Sequence, residues 1–361
     1  MTDGKKTHSG PGATHTRREI LVRSSQLVAA AALPFGADSI IRPSGAYAQQ
    51  QAPLVAFVHT QAAGDNGPID DMLGALKRLE QDMKIRSCPV YASDPATYET
   101  IFRNLGNAGA SVVITTFFAV AQPLKAVAPS FPNTKFVHLY ADPVNPPMAN
   151  LQTVGYKQYL ADYLAGIYGA RVSRTGAIGY IGGASTPTLN GDFNALKAGA
   201  LSVRPDIKVT PAFVGSFQDP GKAREIASQM YQSGIDFIQC GAAGSNPGII
   251  QAANDGKDRM VSGTSLANMA LGPKTLHTTI AVAYGKSLYA QAKAALDGKF
   301  TGGNHMAGME GGVVDFVLSE RFLMEGDPAA VSKAKEIFVE VEKAKQAIAD
   351  GKLVVPLKTD I

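Results

Sequence analysis

The chain has two cysteines in 361 residues, Cys88 and Cys240, far apart and with no histidine beside either. So few, so placed, they form neither a disulfide framework nor a cysteine-based metal site, and they are expected as two separate buried thiols. No apolar run approaches the roughly 18 residues of a membrane-spanning helix. Charge is also scarce. Of the formal net charge of +4, the first 48 residues carry six basic side chains (Lys5, Lys6, Arg17, Arg18, Arg23, Arg42) against three acidic (Asp3, Glu19, Asp38). The remainder sits near neutrality, which offers nucleic acid no electrostatic footprint. Enzyme signatures are missing too. There is no G-x-S-x-G, no H-E-x-x-H and no G-x-x-x-x-G-K-[ST], and His59, His138, His277 and His305 lie in separate segments.

Residues 1–15 are polar and without apolar period. Thr16-Arg17-Arg18-Glu19-Ile20-Leu21 follows, then the apolar run Leu27–Phe35, then Ala46-Tyr47-Ala48. A basic region, a short apolar region and a small-x-small site form an export leader, and the paired arginines point to the twin-arginine route. Cleavage is expected after Ala48 and the mature chain in a bacterial periplasm. No cysteine lies near that site, so a lipid anchor is not expected.

From Leu54 onward, short apolar runs alternate with amphipathic segments. The first unit is the most informative. Leu54–His59 reads as a buried strand, Thr60–Gly67 as a polar turn, and a helix begins near Pro68 with Ile69, Met72, Leu73 and Leu76 at helical spacing. Open α/β sheets bind ligands at such strand-to-helix edges. The alternation runs to Tyr140, breaks at Pro143-Val144-Asn145-Pro146-Pro147, and resumes from Ala177 to Thr264. Fully apolar strands between helices mean parallel sheets covered on both faces. The expected fold is therefore α/β, with two Rossmann-like lobes joined by several extended crossings. The first lobe is assigned to residues 53–150 plus 283–305 and the second to 151–282 plus 306–361. A cleft between such lobes is the default ligand site.

Several stretches, in this order, carry a family likeness. They are Gly64-Asp65-Asn66-Gly67, Thr115-Thr116-Phe117-Phe118, Phe131–Phe136, Tyr163-Leu164-Ala165-Gly166, Gly179–Gly183, Gly215–Lys222 and Gly308–Val313. Together they resemble the BMP (basic membrane protein, PnrA-like) family of ABC-transporter substrate-binding proteins. The segment Gly263-Thr264-Ser265 with Leu271-Gly272-Pro273 and Thr278-Thr279 is similar to a branch associated with purine bases. The resemblance implies a type I periplasmic-binding-protein fold with three crossings. It implies a purine base or nucleoside in the cleft, delivery to a membrane permease driven by an ATPase, docking at the inner membrane only, and neither catalysis nor a cofactor.

A purine needs flat apolar walls and a few placed polar groups. Asp65 fits as an acceptor for ring or exocyclic N–H groups, with helix capping as its alternative; Asn66 and Gly67 complete that turn. Phe117, Phe118 and Tyr140, at strand ends, are candidate walls, with core packing as their alternative. In the second lobe Gly183, Gly244 and Ser245 end strands, Asn190 and Asp192 stand near a helix start, and Thr264 and Ser265 follow another strand. The chain departs from the family pattern at Pro68 and Ile69, where an aromatic and an amide are usual. The nucleoside branch holds ribose with an Asp and a Lys where this chain has Thr264 or Ser265 and Val282. Those departures favour a free base or another small planar ligand. Asp70-Asp71 is a carboxylate pair on a first helical turn, where it complements the helix dipole.

Overall fold

The computed structural model describes residues 52–64 and 67–361. The expected leader, Asp65 and Asn66 lie outside the described residues. Twelve strands and ten α-helices follow in alternation: β1 (Leu54–His59), α1 (Pro68–Met83), β2 (Arg86–Tyr91), α2 (Tyr98–Asn107), β3 (Val112–Thr116), α3 (Ala121–Val127), β4 (Lys135–Leu139), β5 (Leu151–Tyr156), α4 (Tyr159–Val172), β6 (Ala177–Gly182), α5 (Pro187–Val203), β7 (Lys208–Phe213), α6 (Pro220–Gln232), β8 (Phe237–Gly241), α7 (Asn246–Asn254), β9 (Met260–Gly263), β10 (Leu276–Val282), α8 (Tyr284–Leu296), β11 (Gly303–Ala307), β12 (Val314–Leu318), α9 (Glu320–Glu325) and α10 (Pro328–Ala349).

Two six-stranded sheets result, ordered β11-β5-β4-β3-β1-β2 and β12-β10-β9-β8-β6-β7. Every pairing is parallel except β10 with β12. The central strands β1, β3, β4, β6, β8 and β9 are buried almost throughout, as helices on both faces require. One core is continuous from α1 and α8 on the first sheet to α4, α5 and α10 on the second. Smaller cores lie under α2 and α3 and under α6 and α7. Helix α4 is buried all round, from Leu160 to Ala170. It meets α5 backbone to backbone: a Cβ on Gly166 would lie 2.0 Å from the Leu196 carbonyl oxygen, and one on Gly199 1.9 Å from that of Tyr163.

The chain passes between sheets three times, after Tyr156, after Val282 and after Ala307. Sheet membership differs from the sequence assignment at both lobe boundaries. Residues 151–156, assigned to the second lobe, form β5, which pairs with β4 of the first. Strand β11 has no counterpart in the sequence reading, because Gly303–Ala307 is half-exposed along its length and shows no apolar pattern. It pairs with β5 and ends two residues beyond the expected boundary at 305. All three crossings leave from the C-terminal ends of their strands. The third enters β12 beside Val282, since Val314 pairs with it. The C-terminal edges of the two sheets therefore face each other. The crossings are bound together: Lys157 N–H donates to the Ala307 carbonyl and Ala283 N–H to that of Val313, each at 2.8 Å.

Candidate functional site

On the first lobe, the facing edge is aromatic. Phe117 and Phe118 follow β3, Tyr140 follows β4, Tyr156 ends β5 and Tyr284 opens α8. Tyr140 is the hub, with ring centroids 5.8 Å from Phe117, 5.5 Å from Phe118, 5.9 Å from Tyr156 and 6.1 Å from Tyr284. Phe117 and Tyr140 both have left-handed backbone, φ 66° and 52°. Such conformations cost on the order of 1–3 kcal/mol each and persist where neighbours over-determine them. Here Phe117 N–H donates to the Leu139 carbonyl at 3.1 Å, and His138 Nε2 donates to the Phe117 carbonyl at 2.7 Å. Burial pulls the His138 pKa down, which keeps the ring neutral. Burial, with Asp192 and Asp142 next in weight, pushes the Tyr140 phenol up to about 12. Phe118 stays 55% exposed, a ring presented to solvent rather than to the core. Tyr156 and Tyr284 escape the sequence reading because one is the last residue of β5 and the other the first of α8, where periodicity no longer marks a direction.

The loop before α1 is closed by Asp70, which accepts from Gly64 N–H at 2.9 and 3.0 Å. Gly67 is the N-cap of α1. Asp71 accepts instead from Gly285 N–H at the start of α8, at 2.7 Å. Both acids stand in the first turn of α1, as expected, and each also accepts from a different backbone. His59 is buried, stacked between Phe57 and Tyr91, and donates from Nδ1 to the Gln61 carbonyl at 2.7 Å. Ile69 is 2% exposed, so its side chain belongs to the core.

On the second lobe the sequence-chosen residues have different occupations. Gly183 is where the Phe217 ring packs, 2.3 Å from a would-be Cβ; any side chain at 183 would displace that ring. Phe217 itself is 40% exposed. It follows β7 in a loop, where only the quoted run Gly215–Lys222 hinted at it. Gly244 lies against the Phe217 carbonyl and Gln218. Ser245 is fully buried; its hydroxyl accepts from Asp219 N–H at 2.8 Å and contacts the Ser216 carbonyl at 3.2 Å. It ties the loop after β8 to the loop after β7. Asn190 donates to the Thr359 carbonyl at 3.0 Å and accepts from Ser185 at 3.1 Å, fastening the C-terminal tail to α5. Thr264 accepts from Asn246 at 2.8 Å, and Ser265 accepts from Ala267 N–H as a cap. Helix α5 is capped by Thr186, so Asp192 is an interior residue of it.

Cys88 and Cys240 are both free, on β2 and β8 of different sheets; Cys240 is buried and Cys88 half-buried. No cluster of three or more His, Cys, Asp or Glu able to hold a metal occurs among the described residues, and no described helix is long and apolar enough to cross a membrane. A surface hollow of about 450 Å³ lined by Gly106, Ser111, Phe131 and Thr134 lies at the N-terminal ends of β3 and β4, the edge away from the crossings.

Two parallel α/β lobes with opposed ligand edges and three crossings define the architecture of a solute-binding protein. An ABC transporter solute-binding protein from Aeropyrum pernix K1 superposes with a TM-score of 0.68 at 20% identity, covering 85% of this chain and 94% of that one. A transcriptional activator of the comK gene from Bacillus halodurans superposes with a TM-score of 0.70 at 16% identity, covering 84% and 99%. Shape alone therefore spans transport and regulation. Sequence narrows it: the Bmp family, ABC transporter substrate-binding protein PnrA-like, matches residues 52–347, and this chain belongs to that family. Its relatives include a purine-binding protein of Brucella abortus (strain 2308), 28% identical over 75% of this chain and 76% of the relative. The ABC transporter nucleoside-binding protein BmpA of Lactococcus lactis is 29% identical over 74% and 77%.

Proposed function

We propose that this chain is the exported receptor of an ABC importer, binding a purine base or nucleoside-like ligand between its lobes and presenting it to a permease and its ATPase. The observation that carries this is the pair of half-exposed phenylalanines, Phe118 and Phe217, one on the ligand edge of each lobe. Rings left in water at the strand ends suit the faces of a flat heterocycle. The names of the Brucella and Lactococcus relatives support the ligand class. Asp65 and Asn66, between Gly64 and Gly67 in the sequence, supply acceptors and donors, and the leader with Arg17-Arg18 delivers the chain to the periplasm. The role is binding, without turnover.

One observation favours a second ligand on the same fold. Ile69 is buried and Pro68 opens α1, so the first turn of α1 presents neither the aromatic nor the amide that the family pattern carries there. A small polar ligand other than a purine would then occupy the cleft.

The test is direct. The mature chain is purified and denatured, and the released ligand is identified by mass spectrometry. Adenine, guanine, hypoxanthine and adenosine are then titrated by calorimetry. Binding of at least one is expected; none binding overturns the purine reading. Asp65→Ala is expected to weaken binding and leave the ligand-free thermal midpoint nearly unchanged.

A further inference from the structure

Two aspartates lie buried in the second lobe, on the helices that follow the first crossing and β6. Asp162 is in the first turn of α4, directly after the first crossing, and Asp192 is in the second turn of α5; they are 2% and 5% exposed. Their helices touch backbone to backbone, Gly199 of α5 against the carbonyl of Tyr163, the neighbour of Asp162. Among the described residues no ion pair reaches either carboxylate, and Asp162 Oδ1 is buried with no hydrogen-bond partner. An independent group points to the same place. The Tyr180 hydroxyl is also buried without a partner. Its ring lies 6.1 Å from Phe193, the neighbour of Asp192, and its oxygen sits 2.3 Å from a would-be Cβ on Gly241, at the cleft end of β8.

Unpaired buried carboxylates are costly, on the order of several kcal/mol. Two unpartnered buried oxygens, Asp162 Oδ1 and the Tyr180 hydroxyl, beside a second buried carboxylate that makes no ion pair, are the complement of a ligand rich in N–H donors. We propose that Asp162 and Asp192, with the Tyr180 hydroxyl, form the polar floor of the cleft and recognise an amino-heterocycle or amidine-like edge, a proton leaving the carboxyl pair as the ligand's N–H groups arrive.

The titratable groups facing the pair are Tyr180 on β6 and Tyr140 on the first lobe, with Asp142 close to Tyr140. None is cationic, so nothing offsets the burial that raises both acids. Burial pushes Asp192 up to about 7, and burial with the charge of Asp192 raises Asp162. A donor ligand favours the ionised form. Affinity therefore rises with pH through about 7 and levels off above it, by about tenfold between pH 6 and pH 8 for one linked proton.

This inference rests on the cleft of the proposed function but not on a purine. The test is calorimetry with adenine at pH 6 and pH 8, each in two buffers of different ionisation enthalpy. Caffeine, a purine with no N–H, and benzamidine, an amidine with no purine, serve as the other probes. Expected are release of close to one proton with adenine at pH 6, a tenfold gain at pH 8, and no binding of caffeine. Asp192→Asn loses the pH dependence and at least tenfold in affinity at pH 8. Asp162→Asn, which leaves the burial of Asp192 in place, keeps the dependence near pH 7. Purine binding with no linked proton in the wild-type protein overturns the carboxyl floor and leaves the purine reading standing. If no purine binds, the purine reading falls; benzamidine binding that releases a proton then upholds the floor, and its failure to bind overturns that too. The wild-type proton count decides even if a variant misfolds.

Discussion

Asp71 of α1 is the cap of α8: its Oδ2 accepts from Gly285 N–H at 2.7 Å, while Ala283, in the N-cap position itself, offers no side-chain bond. A carboxylate at a helix N-terminus satisfies an orphan donor and complements the dipole. The bond fastens the chain just after the second crossing to the helix that follows β1. Asp71→Ala is expected to lower stability by about 1 kcal/mol, read as a fall in the urea midpoint at unchanged slope. A change below about 0.3 kcal/mol would mean that the bond is made equally well by water.

Phe118 and Phe217 are exposed enough to leave stability alone and placed to matter for a ligand. Either one changed to Ala is expected to shift the ligand-free stability by no more than about 0.5 kcal/mol. Affinity for the ligand identified by mass spectrometry should fall about tenfold, corresponding to about 1.4 kcal/mol of lost ring contact. Unchanged affinity in both variants would remove these rings from the site.

Two glycines in helices predict opposite outcomes. At Gly199 a methyl group would meet the Tyr163 carbonyl at 1.9 Å, so Gly199→Ala must part α4 from α5 and should cost about 3 kcal/mol or more. At Gly74 of α1 the nearest atom is the end of the Arg78 side chain at 3.9 Å. Gly74→Ala should stabilise by roughly 0.5–1 kcal/mol through helix propensity. Chemical denaturation of the two variants side by side tests the helix contact.

His277 is buried, stacked on Phe322 at 4.0 Å, with Nδ1 2.9 Å from the Tyr168 hydroxyl. Burial lowers its pKa from 6.5 to about 4. A base depressed in the folded state stays neutral while the unfolded chain takes up a proton. Its contribution is therefore full above pH 6.5 and is lost as pH falls toward 4, by up to about 3 kcal/mol. Asp162 and Asp192, raised by burial, act with opposite sign, so the observable is the difference between wild-type protein and His277→Asn. That difference should shrink from pH 7.5 to pH 4.5; a constant difference would mean that the imidazole titrates normally.

Arg17→Lys with Arg18→Lys tests the export reading, since the twin-arginine pair is not replaceable by lysine in charge geometry. The unprocessed chain is expected to accumulate in the cytoplasm, as seen by fractionation. Normal processing in the double variant would point to another route.

Alternation of apolar runs and amphipathic helices made the two-lobed α/β plan legible from Leu54 onward, because buried parallel strands need residues that no exposed segment tolerates. Family likeness rested on the order of short stretches over most of the chain, and the family match covers residues 52–347. What the linear pattern could not carry was membership at the lobe boundaries and the use of each polar group. Strand β11 lacks an apolar signature because it is an edge strand. Ser245 and Asn190 look like ligand groups in sequence, yet tertiary contacts commit them to loop and tail. Asp162 stands unremarked in an alanine- and leucine-rich helix, and only the packing of α4 against α5 and β6 sets it beside Asp192 and Tyr180. Periodicity records whether a side chain is buried. Which distant groups share that buried space is a long-range relation, and it exists only once the helices have packed against one another and against their sheet.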